Sequence, residues 1–191
     1  MSARRGTRTA PPIAHAAPSA DNGFDVSTRA ELRRLRRRKA HGCWDHLCLA
    51  PLWPLHGANL GTLLRTCDAV GACMAVPRLP WVPEALDRGI TLRRPTCVHW
   101  AGNRLGWLGR RRERGARIVG VELADGATRS ADPEPARRPT VAVLGHEREG
   151  IPSEALPFLD EMVEIPMIGT GASLNVAVAG SLVAYRLAGL V

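Results

Sequence analysis

From about residue 44 onward the chain alternates short apolar runs with longer stretches of helical periodicity. HLCLAPL (46–52), ACMAVP (72–77), TCVHW (96–100), RIVGVEL (117–123), TVAVLG (140–145) and MVEIP (162–166) are bounded by turn-forming residues and predict strands. Between them, NLGTLLRTCDAVG, PEALDRG, NRLGWLGRRRERG, a short PSEALPFL segment and SLNVAVAGSLVAYRLAG predict helices. In the first of these, Leu60, Leu63, Leu64, Cys67 and Val70 share one helical face, which predicts burial along that stripe. Gly71 and Gly115 stand where helix C-caps are expected. Strand-helix alternation of this kind predicts one α/β domain over residues 43–191, built on a mostly parallel sheet with helices on both faces.

The first fifth of the chain follows a different rule. Residues 1–26 are Ala- and Pro-rich and aperiodic, which predicts a disordered tail. Ser27 then stands as the N-cap of a short basic helical arm, residues 27–42, with Leu32 and Leu35 as a thin apolar edge. Arg33, Arg34, Arg36, Arg37, Arg38 and Lys39 crowd the rest of its surface. The 191 residues carry a formal net charge of +8. Residues 1–40 hold 10 basic and 3 acidic side chains, so almost the whole excess sits in the first fifth of the chain. A polyanionic backbone, of RNA or DNA, is the expected partner, and those six residues are its expected contacts.

Composition removes several classes of function. No apolar run approaches the roughly 18 residues of a membrane span. The N-terminus, MSARRGTRTAPP, lacks the apolar centre of a secretory signal. It is Arg-rich and acid-poor like a transit peptide, but its prolines and missing helical period read as plain tail. The five cysteines are an odd number. Cys43 and Cys48, with His41 and His46, come nearest to a metal cluster, but no second pair matches them, and no metal is expected. Cys67, Cys73 and Cys97 read as small buried apolar residues, consistent with a reduced, cytoplasmic setting.

Three segments carry candidate chemistry. In GANLGTLLRTCDAVG (57–71), Asn59 and Gly61 open a helix where amide N–H groups are unpaired. Arg65 lies one and a half turns further on, off the apolar stripe, and could hold a phosphate bidentately. In VAVLGHEREGIP (141–152), a buried strand ends in a Gly-flanked polar turn, the usual ligand position of open α/β sheets. Gly145 and Gly150 have P-loop-like spacing, but Ile151-Pro152 stands where Lys-Ser/Thr would be needed, which excludes a triphosphate site. Glu147 in that turn could bond a ribose or an amine. In EIPMIGTGASLNVAVAGSLVAYR (164–186), a glycine-containing loop leads into a helix whose Ala177, Ala179, Gly180, Ala184 and Ala188 predict close approach of another helix.

In their order and spacing these segments resemble the SpoU/TrmH branch of the SPOUT RNA 2′-O-methyltransferases, from about Leu47 to Leu190. Motif 1, N-x-G-x-x-x-R-T, appears as Asn59, Gly61, Arg65 and Thr66. Motif 2, a strand followed by G-x-E-x-x-G, appears as Leu144, Gly145, Glu147 and Gly150. Motif 3, I-P-M followed by S-L-N-V, appears as Ile165, Pro166, Met167, Ser173, Leu174, Asn175 and Val176. The resemblance implies a C-terminal trefoil knot, a rare exception to the rule against threaded chains. It also implies a homodimer and transfer of a methyl group from S-adenosylmethionine to a ribose 2′-hydroxyl of RNA. Leu144, Gly145, Gly150, Ile165, Pro166, Met167, Ile168 and Leu174 would line the cofactor site, largely through backbone. Arg65, Asn59, Glu147, Ser173 and Asn175 would form the catalytic set.

HEREGIP and the compact layout look most like the enzymes that methylate a D-loop guanosine of tRNA, with a 23S-type ribosomal RNA as the alternative substrate. From another class, a knotted RNA-binding protein without catalysis would keep the fold but not all five catalytic side chains. A nucleotide-dependent oxidoreductase would need a G-x-G-x-x-G after its first strand, and there is none.

Overall fold

A computed structural model describes residues 46–89, 96–122, 133–171 and 173–191. The expected tail and the basic arm, with its six candidate RNA contacts, lie outside the described residues. Six strands form one sheet: β1 (Leu47–Pro51), β2 (Cys73–Pro77), β3 (Val98–Ala101), β4 (Arg117–Val121), β5 (Thr140–Leu144) and β6 (Glu161–Val163). Their order across the sheet is β3-β2-β1-β5-β4-β6, and every pairing is parallel. The central strands β1, β2 and β5 are buried at every position, which explains why they read as continuous rather than alternating apolar runs.

Successive strand residues point to opposite faces, and the core divides accordingly. On one face, Leu47, Leu49, Met74, Val119 and Leu144 pack under helices α1 (Gly57–Val70), α2 (Val82–Gly89) and α4 (Val176–Leu187). On the other, Cys48, Ala50, Cys73, Ile118 and Val143 pack under α3 (Arg104–Glu113) and a 3-10 turn (Ser153–Phe158). The predicted stripe of α1 is buried throughout. Gly71 ends that helix in the left-handed conformation, φ 73°.

Two expectations need adjustment. PSEALPFL forms the 3-10 turn rather than an α-helix, because Pro157 inside it cannot donate an i→i−4 bond. The small residues of α4 face inward onto their own sheet rather than outward: Ala177, Gly180 and Ala184 are buried. A Cβ on Gly180 would come within 2.7 Å of Leu144 Cδ1 and 2.8 Å of Leu63 Cδ2. Val178, Leu182 and Tyr185 of that helix are exposed, while Val183 and Leu187 are buried with the small residues.

The strand order has a consequence for function. From β1 the chain winds outward to β2 and β3, then returns to build β4, β5 and β6 on the other side. The switch point lies between β1 and β5, and the loops leaving their C-terminal ends diverge there to open a crevice. Among the described residues no helix is long and apolar enough to cross a membrane. The close seat of α4 is testable: Gly180→Val should overpack the contact with Leu63 and Leu144 and cost about 1–3 kcal/mol. Urea unfolding should show this as a lower midpoint at unchanged slope.

Candidate active site

Glu147 joins the two loops of the switch point. It follows β5, and its carboxylate accepts hydrogen bonds from the backbone N–H of Leu55 (2.7 Å) and His56 (3.0 Å) in the loop after β1. The same carboxylate accepts from Asn59 Nδ2 at 2.8 Å, in the first turn of α1. Asn59 Oδ1 in turn accepts from Asn175 Nδ2 at 3.1 Å. Asn175 is the N-cap of α4, and its Oδ1 accepts from the N–H groups of Ala177 (2.8 Å) and Val178 (3.3 Å). Residues 88 and 116 positions apart in sequence are thus joined in one chain of bonds. Each predicted motif contributes one member: Asn59, Glu147 and Asn175. A second link ties the same helices together about two turns further on, where the Thr66 and Ser181 hydroxyls lie 2.7 Å apart.

Partial burial pushes the Glu147 carboxyl upward, but the hydrogen bonds from Asn59, Leu55 and His56 outweigh it and hold the group below the ordinary carboxylate range.

The turn that carries Glu147 is closed by its own backbone. His146 N–H donates to Gly150 O (2.8 Å) and Gly150 N–H to His146 O (2.9 Å). His146 Nδ1 accepts from the N–H groups of Arg148 and Glu149, which puts its ring proton on Nε2 when neutral. Both flanking glycines are required. A Cβ on Gly145 would lie 2.3 Å from the carbonyl carbon of Gly150. Gly150 has φ +72°, and its Cβ would lie 1.5 Å from Glu122 Oε1.

Beside this turn is a cleft of about 310 Å³. Gly145, Gly150, Ile165, Met167, Ser173 and Leu174 line it, as the motifs lead one to expect. Leu144, Pro166 and Ile168 do not. Leu144 is fully buried in the core, Pro166 is exposed beside the cleft-lining Ile165, and the Ile168 side chain is wholly in solvent. Arg65 stands on the exposed face of α1.

Sequence reasoning missed Glu122, which lines the cleft directly after β4. Burial raises its pKa, although it accepts a bond from Ile151 N–H. An acid at the C-terminal end of a parallel strand is a known sign of ribose recognition, and RIVGVEL carried that sign.

Glu147→Gln would set an amide NH₂ against backbone donors and should cost about 1–3 kcal/mol. The pH dependence follows from the lowered pKa. Glu147 stabilises the fold above its unfolded value of about 4.3, and that stability is lost as pH falls through the lower folded value. Chemical unfolding as a function of pH should therefore show an acid limb that is shallower in Glu147→Gln.

Residues 53–185 match the SpoU rRNA Methylase family. A tRNA (guanosine(18)-2'-O)-methyltransferase of Thermus thermophilus is 32% identical over 136 residues, which cover 67% of this chain and 66% of the relative. The chain thus spans less than two thirds of that protein's length. The Aquifex aeolicus TrmH/SpoU tRNA modifying enzyme superposes with a TM-score of 0.66 at 24% identity, over 84% of this chain and 82% of that one. The SpoU methyltransferase AviRb of Streptomyces viridochromogenes, solved with AdoMet, superposes with a TM-score of 0.60 at 24% identity, over 81% and 60% of the two chains. The three motifs that meet at Glu147, Asn59 and Asn175 all lie inside the matched span, and the chain belongs to the SpoU methylase family.

Proposed function

We propose that this protein is an S-adenosylmethionine-dependent RNA 2′-O-ribose methyltransferase acting on tRNA, with a D-loop guanosine as target. The observation that carries the reading is the bonded chain Glu147–Asn59–Asn175, which fixes three family motifs around one cleft at the sheet switch point. Membership of the family supports the reaction class, and the name of the Thermus relative supports tRNA and guanosine 18 as the target.

The cleft suits the cofactor. Gly145 and Gly150 leave backbone where any Cβ would collide, so polar main-chain atoms can approach an adenosine closely. Ile165, Met167, Leu174 and Val176 supply apolar walls, and Glu122 supplies an acceptor for a ribose hydroxyl or an ammonium group. When bound, S-adenosylmethionine supplies an electrophilic methyl group on a sulfonium.

The protein's task is to present a ribose 2′-oxygen in line with that methyl carbon and to stabilise the negative charge it develops. Arg65 is the group for this work. Its guanidinium stays protonated, so it clamps the target phosphate and stabilises the oxyanion rather than taking a proton. Asn59 and Asn175 have both ends of their amides engaged with each other, with Glu147 and with α4. Together with Glu147 they are positioning residues that fix α1, and with it Arg65, against the cleft. Ser173, exposed at the cleft mouth, remains available to the ribose.

The same reading includes a knotted, dimeric, cytoplasmic enzyme. β6 is an edge strand, yet α4 returns across the sheet to α1. Its end meets the segment before β5, where Ala136 N–H donates to Leu187 O at 2.7 Å. Such a path supports a threaded C-terminus. Leu174, Val178, Leu182 and Tyr185 form an exposed apolar stripe on and before α4, which supports a subunit interface.

Two measurements test these readings. Labelled methyl transfer to unmodified tRNA, mapped by nuclease digestion, should place one methyl on a D-loop guanosine. Arg65→Ala should lower turnover about 10²–10³-fold while cofactor binding persists, and near-wild-type turnover would remove Arg65 from its role. In sedimentation, wild-type protein should run as a dimer and Leu182→Glu as a monomer, because the substitution buries an unpaired charge at the interface.

A further inference from the structure

We infer that Cys73, Cys97 and His99 form a binding site for a thiophilic divalent cation, with Zn²⁺ as the fitting ion, at the end of the sheet opposite the active site. Cys73 is the first residue of β2, and Cys97 immediately precedes β3. The parallel register pairs Met74 with Val98, and Met74 N–H donates to Cys97 O at 2.9 Å, so the two cysteines stand side by side on adjacent strands. His99 follows Cys97 by two residues and therefore points to the same face of the sheet. The three potential ligand atoms all lie within 4.8 Å of one another.

The spacing suits coordination. Cys97 Sγ and His99 Nε2 are 3.6 Å apart. With Zn–S of about 2.3 Å and Zn–N of about 2.0–2.1 Å, tetrahedral geometry sets sulfur and nitrogen ligands about 3.5–3.6 Å apart. Two thiols and an imidazole select zinc-like ions and discriminate against Mg²⁺ and Ca²⁺, which require oxygen. Cys73 is buried, whereas Cys97 and His99 are half-buried, so the ion would be reached from solvent and would keep a fourth position for water. Binding forms two metal–thiolate bonds and one metal–imidazole bond, and releases the two thiol protons to solvent.

The structural effect follows from the topology. β3 is an edge strand and only four residues long, Val98–Ala101. A metal bridging Cys73 to Cys97 and His99 would clamp that edge to β2. The cleft and the switch-point loops follow the C-terminal ends of the strands, so loss of the ion should leave cofactor binding intact.

The test is titration of the reduced full-length protein with Co²⁺, read by thiolate charge-transfer and tetrahedral ligand-field absorption, and displacement by Zn²⁺. Saturation at one ion per chain is expected, with Zn²⁺ raising the Tm. Cys97→Ser and His99→Gln should each weaken binding by more than about tenfold, the lower end of what even outer-shell losses cost, and should abolish the Tm shift. Circular dichroism of the metal-free variants should match that of wild type. If Cys97→Ser fails to fold, the half-buried His99→Gln carries the comparison. Absence of thiolate bands in the wild type overturns the site. So does an affinity unchanged in either variant, because the ion would then be held by other thiols of the chain.

Discussion

The Glu147 carboxylate is the constraint on which the rest of the site depends. A parallel α/β sheet opens a crevice at its switch point for topological reasons, but the two loops flanking the crevice have no intrinsic reason to stay in register. Glu147 supplies that reason by accepting two backbone N–H groups from the loop after β1 while standing on the loop after β5. Its bond to Asn59 then fixes the first turn of α1, and Asn59 passes the constraint to Asn175 and the start of α4. A carboxylate suits this position because it accepts several hydrogen bonds and donates none when ionised. The lowered pKa is the electrostatic trace of that arrangement.

The neighbouring turn shows why backbone is exposed along this side of the cleft. Gly145 and Gly150 approach so closely that neither tolerates a Cβ, and the turn between them is closed by its own amides and by His146. Glu122 packs against the bare Cα of Gly150 and bonds Ile151 N–H. Any side chain at residue 150 would displace this carboxylate, so the glycine spacing of the second motif and the acid after β4 form one structural unit. That unit places a carboxyl of raised pKa on the cleft wall, among Ile165, Met167, Leu174 and Ser173.

Much of this was legible in the sequence, for identifiable reasons. The six strands were legible because a doubly covered parallel sheet demands continuous apolar runs, and α1 because its stripe keeps a helical period. The meeting of Asn59, Glu147 and Asn175 was legible only through their order and spacing as family motifs, since each alone reads as a cap or a turn residue. What escaped depended on contacts across the sheet. Glu122 gained its place from Gly150, 28 positions away, and Cys73, Cys97 and His99 were brought together by strand register. Leu144, Pro166 and Ile168 belong to the same motifs, and since one side chain turns into the core and two face solvent, only their backbone is left for the cleft, as the motifs imply.

Helix α4 shows how one stretch of sequence can satisfy two constraints at once. Its Ala and Gly residues suggest a surface for close approach, and the approach does occur, onto α1 and β5 of the same chain. Gly180 removes the volume that would keep Leu63 and Leu144 away, and the Thr66–Ser181 contact fixes the register of the two helices. With its small residues, Val183 and Leu187 used inward, the helix also carries apolar side chains outward, where Val178, Leu182 and Tyr185 remain exposed. An exposed apolar stripe on the helix that Asn175 caps puts this face directly beside the cleft. The stripe and the bonded chain begin at the same helix N-terminus, so the exposed apolar face and the Glu147–Asn59–Asn175 geometry share one physical element.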